Sequence, residues 1–231
     1  MGICEKQFNF VQQYGLNNSN GKKMLELGDQ ILNPFLSKKM NNYSTGKQLY
    51  KSLSYDHTSF DLNGKNGSIK VDLTKINTQY NNNYDIITDH GTIEHVEDQY
   101  MCFKNIHDWG KIGCVYIHCV PLEGEEHKKY LGYEFPPHGY YAYSTQFWNE
   151  LCKLCNYKII KNQGNLVHNL AIKFPKNYYS SSCYSKVSNN KFITKEQFYK
   201  LFDKYNQNTK HKLTKEYHKQ WKKNVNQILN T

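Results

Sequence analysis

Along the chain, short apolar runs alternate with segments in which apolar residues recur every third or fourth position. Met24 to Leu27 is entered through Gly21-Lys22-Lys23 and ended by Gly28. It reads as a buried parallel strand running into a loop that needs a glycine. Thr58 to Leu62, ending at the Asn63-Gly64 turn signal, Ile69 to Leu73, and Tyr84 to Asp89 read as three further strands. Cys114 to Val120, closed by Pro121, is the most apolar of all. Helical spacing is weak over 5–14 and clearest within 29–57 at 46–53. It is stronger over 97–110, with Tyr100, Met101, Phe103 and Ile106 inward, and over 144–155, with Ser144 as N-cap and Phe147, Leu151 and Leu154 inward. Tyr157 to Lys161 and Leu166 to Phe174, the latter interrupted by Asn169, complete the strands. Strands alternating with helices predict an open, mainly parallel α/β sheet with an antiparallel addition at its end.

Beyond residue 185 the pattern changes. Thr194 and Gln197 fit a capping box, followed at helical spacing by Phe198, Leu201, Phe202 and Tyr205. After a break at 206–210, Tyr217, Trp221, Val225 and Ile228 share one face of a second predicted helix. The expected organisation is an α/β domain over 1–185 with a basic helical extension, 186–231, packed on it. A partner- or nucleic-acid-binding arm is the alternative reading of residues 190–231.

Charge changes this picture little. The 231 residues carry a formal net charge of +10, which invites a nucleic-acid reading. The chain contains no arginine, so bidentate readout of guanine or phosphate is excluded. Much of the excess lies in the tail, where Lys195 to Lys223 includes nine Lys against Glu196, Asp203 and Glu216. The abundance of Lys, Asn, Tyr and Ile also suits an AT-rich coding sequence, and a solvated charged face is the expected meaning.

No run approaches the roughly 20 apolar residues of a membrane span, and the polar N-terminus is unlike a secretory signal. Met1-Gly2 starts like a myristoylation signal, but Lys6 stands where Ser or Thr is wanted. Seven cysteines without framework spacing fit reduced thiols in a cytoplasmic protein. No metal site is expected, because no H-x-x-x-H occurs on a helix and Cys152-Lys153-Leu154-Cys155 stands alone.

The candidate chemistry is acidic. Glu26 sits inside an apolar strand and needs a partner there. Glu26, Asp61, Asp72 and Asp89 punctuate the first four strands, and in a parallel sheet the carboxyl ends line the edge where ligands bind. A carboxylate can accept two hydrogen bonds from a ribose diol, for which Asp61 is placed, and Asp72 is placed to accept from an adenine amino group.

In this order the motifs resemble those of class I S-adenosylmethionine-dependent methyltransferases. Lys-Met-Leu-Glu-Leu-Gly at 23–28 is similar to the first motif, Ser-Phe-Asp-Leu-Asn at 59–63 to the second, Val-Asp-Leu at 71–73 to the third, and Tyr-Asp-Ile-Ile-Thr-Asp at 84–89 to the fourth. Gly91-Thr92-Ile93-Glu94-His95-Val96 and Pro137-His138-Gly139-Tyr140-Tyr141-Ala142-Tyr143-Ser144 resemble the small-molecule branch. The resemblance covers about residues 22–175. It implies a Rossmann-like, seven-stranded sheet with helices on both faces and S-adenosyl-L-methionine as methyl donor. The donor would be held by Glu26, Gly28, Asp29, Gln30, Asp61, Leu62, Asp72, Leu73, Asp89, His90 and Gly91. The first motif departs from the family. Gln30 and Leu32 stand where further glycines are usual, and Glu26 and Asp61 are further apart than the family norm.

The implied reaction carries a methyl group to an oxygen or nitrogen of a small molecule, with a sugar or glycan precursor among the candidates. His95, His118 and His138 are candidate bases. His138 is preferred because its loop faces the same edge amid Tyr140, Tyr141 and Tyr143; Glu94 and His95 are expected to shape the wall beside the methyl group. Two rival readings stand beside this one: an RNA or protein methyltransferase docking through its Lys-rich tail, and a non-catalytic relative.

Overall fold

The computed structural model describes residues 2–123, 139–168 and 177–208. Seven strands form one sheet: β1 (Lys23–Leu27), β2 (Asp56–Asp61), β3 (Ile69–Lys70), β4 (Tyr84–Asp89), β5 (Gly110–Pro121), β6 (Tyr157–His168) and β7 (Asn177–Lys186). Their order across the sheet is β3-β2-β1-β4-β5-β7-β6. The first five run parallel, and β7 is inserted antiparallel between β5 and β6. The expected α/β architecture is therefore present, with β1 and β4 side by side at its centre.

Alternation along the central strands creates two cores. Leu25, Leu27, Ile87 and Tyr116 face a cluster containing Phe103 and Ile106 of α4 (Gln99–Trp109), Phe147, Trp148 and Leu151 of α5 (Thr145–Leu154), and Phe198, Leu201 and Phe202 of α6 (Lys195–Tyr205). Met24, Ile86, Val115 and Ile117 face the opposite cluster, with Phe8 and Phe10 of α1 (Glu5–Phe10), Leu36 of α2 (Pro34–Lys39), and Leu49 and Tyr50 of α3 (Gly46–Ser52). Glu26, in step with Met24, belongs to this second side.

Helix boundaries follow local chemistry. The side chains of Thr45, Asp98, Ser144 and Thr194 each accept a backbone N–H in the first turn of α3, α4, α5 and α6. At the other end of α4, the buried Lys186 ammonium donates to the carbonyls of His107 and Gly110, both at 3.0 Å. Helix α6 is built into the first core, where Phe198 packs against Phe103, Phe147 and Phe192. The segment after it, Asn206–Asn208, pairs with Tyr141–Tyr143.

Three elements differ from the sequence reading. Strand β3 ends at Lys70, because Asp72 Oδ1 accepts from the Thr74 amide and hydroxyl and turns the chain. Tyr157 to His168 is one long strand rather than two short ones. Strand β7 escaped notice because its centre, Ser180-Ser181-Ser182, lacks the apolar alternation that marks a strand, although all three serines are buried. The predicted stretch 169–174 and the predicted helix carrying Tyr217 to Ile228 lie outside the described residues.

Candidate active site

The carboxyl ends of β1, β2 and β4 bring three of the predicted acids to one edge of the sheet. Asp61, closing β2, accepts the Asp29 amide on Oδ2 and the Asn63 amide on Oδ1, both at 2.8 Å. Asn66 reaches over from the next loop and donates to the Asp29 carboxylate at 2.7 Å. The loops after β1 and β2 are thus clasped through two acids, with Leu62 half-buried beside them. Asp72 caps its own turn, and Leu73 is buried in the core, its carbonyl accepting from Asn105 at 3.0 Å.

The loop after β1 accounts for the long spacing from Glu26 to Asp61 and for Leu32, while Gln30 keeps its place in the loop. Gly28 has φ +83°, a conformation that favours glycine, and a Cβ there would collide with Thr92 Oγ1 and the Gln30 amide. From Ile31 the chain makes an excursion. Ile31 and Leu32 pair in parallel with Gly2 and Ile3, Asn33 caps α2, and Leu36 anchors the excursion in the second core. The chain then comes back to its starting point. Leu32 N–H donates to the Ser44 carbonyl at 2.8 Å, Ile31 bridges Thr45, and Gly46 N–H donates to the Gln30 carbonyl at 2.8 Å.

With 31–44 set aside, Glu26-Leu27-Gly28-Asp29-Gln30 runs directly into Thr45-Gly46 and the start of α3. The spacing from Glu26 to Asp61 falls from 35 positions to 21, close to the ~20 residues typical of nucleotide-binding folds. Gly46 then follows Gly28 in this shortened loop, and a Cβ on it would collide with Glu26 Oε1. Sequence reading missed Gly46 because the excursion hides it. The available signal was the Thr45-Gly46-Lys47-Gln48 capping box, whose backbone and side-chain halves are both formed.

Beneath this loop lies a buried polar group that the sequence did not reveal as a unit. Glu26 Oε2 is 3.3 Å from His57 Nε2, and the His57 ring stacks on Tyr50 with centroids 5.7 Å apart. The Tyr50 hydroxyl is 3.4 Å from His90 Nε2. Burial raises the Glu26 carboxyl above the ordinary range, against the pull of the His57 ring beside it. Burial also lowers the His90 imidazole to about 4, so His90 is neutral at physiological pH.

On the β4 side, Asp89 is fully buried and Thr92 N–H donates to its Oδ1 at 2.9 Å. Its Oδ2 lies 3.1 Å from His118 Nδ1, and His118 Nε2 lies 3.1 Å from the Tyr184 hydroxyl. This line ties β4, β5 and β7 together within the core. Gly91 has φ +87° and turns the chain into Ile93–His95. Glu94 is fully buried, and its carboxyl is pushed well above the ordinary range by burial and then by the nearby Asp89 charge. His95 Nε2 stands 3.7 Å from Glu94 Oε1. Tyr140 N–H donates to the Glu94 carbonyl at 2.7 Å, which brings the start of the Tyr-rich segment to this turn. His138 lies outside the described residues.

The side chains present at this edge suit a polar donor molecule. Among the described residues, Glu26 Oε1, Gln30 Oε1, His90 Nδ1 and both Glu94 oxygens are buried without a hydrogen-bond partner, while buried polar groups elsewhere in proteins are nearly always paired. Four residues with such orphaned atoms at the ends of β1 and β4, around two glycines that tolerate no Cβ, are what a bound nucleoside and amino-acid moiety would use. Gln30 qualifies this fit. Its amide donates to the Leu27 carbonyl at 3.2 Å and to Thr92 Oγ1 at 3.1 Å, so the side chain bridges the loop over Gly28. No cluster of metal-ligating side chains occurs among the described residues, and all seven cysteines are free and buried.

No protein-family model matches the chain, and no curated protein matches it. Solved structures do. TehB from Haemophilus influenzae is 15% identical with a TM-score of 0.53, over 80% of this chain and 62% of that one. The putative methyltransferase bound to the Trm112 methyltransferase activator of Haloferax volcanii is 9% identical with a TM-score of 0.52, over 80% of this chain and 90% of that one. MccD protein is 8% identical with a TM-score of 0.50, over 79% of this chain and 96% of that one. At these identities the likeness concerns architecture: the chain has the Rossmann-like, methyltransferase-type α/β fold that these structures share.

Proposed function

We propose that the protein is a methyltransferase that uses S-adenosyl-L-methionine and methylates an oxygen or nitrogen of a small molecule. The observation that carries this reading is the restored glycine loop, in which Gly28, Gln30 and Gly46 meet beside Glu26 and are clasped to Asp61. In the proposed site Asp61 and Asp29 hold the ribose side, Gly28, Gln30 and Gly46 the amino-acid side, and Asp72, Leu62 and Leu73 the base side. Asp89, His90 and Gly91 line the β4 wall. The bound donor supplies an activated methyl group. The protein's contribution is alignment of the acceptor, which is worth on the order of 7–11 kcal/mol in favourable cases. A general base adds about 10²–10⁴-fold where a proton must leave. His138, His95 and Glu94 are the proposed groups around the acceptor. The free thiols support a cytoplasmic setting.

The small-molecule reading is preferred to RNA for a chemical reason. The acidic side chains at this edge disfavour a phosphate backbone, and the tyrosines suit a compact polar acceptor, while the Lys excess lies in the tail. A second reading, a fold kept without catalysis, draws on one observation, the Gln30 side chain bridging over Gly28.

A thermal-shift titration with S-adenosylhomocysteine separates the two. The catalytic reading expects a raised melting temperature with micromolar-range affinity, lost in Asp61→Ala. Equal melting curves with and without the ligand would favour the non-catalytic reading.

A further inference from the structure

We infer that Glu94 is the acceptor-recognising carboxyl of the site, and that the acceptor presents a basic nitrogen to it. This rests on the methyltransferase reading and narrows its substrate class from oxygen or nitrogen to nitrogen.

Glu94 is held from both sides. Its carbonyl accepts from Tyr140 at 2.7 Å, and a Cβ on Gly139 would stand 2.6 Å from its Cγ. Two residues earlier in the same turn, Thr92 Oγ1 accepts from the Gln30 side chain at 3.1 Å, which sets this turn beside the loop after β1. Despite this fixed position, neither carboxyl oxygen has a hydrogen-bond partner among the described residues. His95 Nε2 is too far at 3.7 Å, and the Tyr143 hydroxyl is committed to Gln99 Oε1 at 2.7 Å. A buried carboxyl with both acceptors orphaned is costly as a purely structural group. A molecule with several N–H donors and a positive charge removes that cost, and it also answers the buried negative charge of Asp89 nearby. A hydroxyl acceptor brings one donor and no charge.

The proton balance closes. Burial and the nearby Asp89 charge raise the Glu94 carboxyl well above the ordinary range, which favours its protonated form in the free protein. Binding an ammonium, R–NH3+, displaces that proton to solvent. Within the complex the carboxylate takes a proton from the ammonium, leaving R–NH2 with its lone pair free. That lone pair forms the new C–N bond as the donor's S–C bond breaks, and the bonding electrons stay on sulfur. The product leaves as R–NH2–CH3+ and Glu94 is again protonated, so each turnover releases one proton.

The test uses methylammonium as probe and methanol as its uncharged match, each added to the protein saturated with S-adenosylhomocysteine. The expected result is that methylammonium at tens of millimolar raises the melting temperature of the wild type, and methanol does not. In Glu94→Gln the methylammonium shift is lost, and in Glu94→Asp it is reduced, with both variants checked for native circular dichroism. Equal shifts with both probes, no shift with either, or an undiminished shift in Glu94→Gln overturns the assignment. If S-adenosylhomocysteine itself fails to bind the wild type, the methyltransferase reading is what fails.

Discussion

The amide of Gly46 donates to the carbonyl of Gln30 at 2.8 Å, although residues 31–45 lie between them in sequence. That bond joins the two halves of a glycine loop that the chain interrupts. It also sets the first turn of α3 against Glu26, where only a glycine fits.

Gly46→Ala therefore tests the interrupted loop. The added methyl group meets Glu26 Oε1 in a buried site, and overpacking of this kind costs about 1–3 kcal/mol. The expected outcome is a lower urea midpoint together with at least tenfold weaker S-adenosylhomocysteine binding by calorimetry. Unchanged binding would show that Gly46 has no part in the donor loop.

His90 gives a pH signature. Its folded-state value of about 4 lies below the ordinary 6.5, so the unfolded chain binds the extra proton between these limits. The stability it contributes is fully present above pH 6.5 and is lost as pH falls toward 4. Glu26 and Glu94, both raised by burial, act in the opposite direction, favouring the folded state at low pH. The difference between the wild type and His90→Gln isolates the histidine. The variant should gain on the wild type by up to about 3 kcal/mol across this window, measured by denaturation at a series of pH values.

The Asp89–His118–Tyr184 line is expected to act in stability. His118 is buried and stacks on Trp148 with centroids 4.8 Å apart, and its two nitrogens face Asp89 and Tyr184. His118→Ala leaves a cavity and a buried carboxylate short of a partner, at a cost of about 3–5 kcal/mol. Thermal unfolding reads this directly, and a drop of only a degree or two would contradict it.

Phe198→Ala tests how far the C-terminal segment belongs to the main domain. Phe198 is fully buried among Phe103, Phe147 and Phe202, so the expected loss is about 3–5 kcal/mol in a single cooperative transition. A separate early transition with the main one unmoved would mark α6 as an independent appendage.

The central strands were legible because their signals are local. Met24 to Leu27 and Tyr84 to Asp89 are apolar runs with an acid and a glycine or histidine at the carboxyl end, and the structure's strands run from Lys23 to Leu27 and from Tyr84 to Asp89. Ser144 and Thr194 announced their helices through their own side chains. Long-range pairing was not legible. Gly46 follows Gly28 in the shortened loop only once Ile31 has paired with Ile3's strand and the excursion has returned. Likewise, nothing in sequence spacing puts His57 against Glu26, which depends on the pairing of β1 with β2, or Tyr50 against His90, which depends on the face of the sheet that α3 covers. Strand β7 was hidden because its buried centre is polar, with Ser180 Oγ accepting from Trp148 Nε1 at 2.7 Å and Ser182 Oγ donating to Asn162 Oδ1 at 2.6 Å.

The most direct measurement is a crystal structure of the protein with S-adenosylhomocysteine. The account predicts the ligand across Gly28, with its ribose hydroxyls at Asp61 and its amino-acid end at Gln30 and the Gly46 turn. Crystals grown at saturating ligand that show Gln30 still bridged to Thr92 over Gly28, with the ligand absent or bound elsewhere, would contradict it.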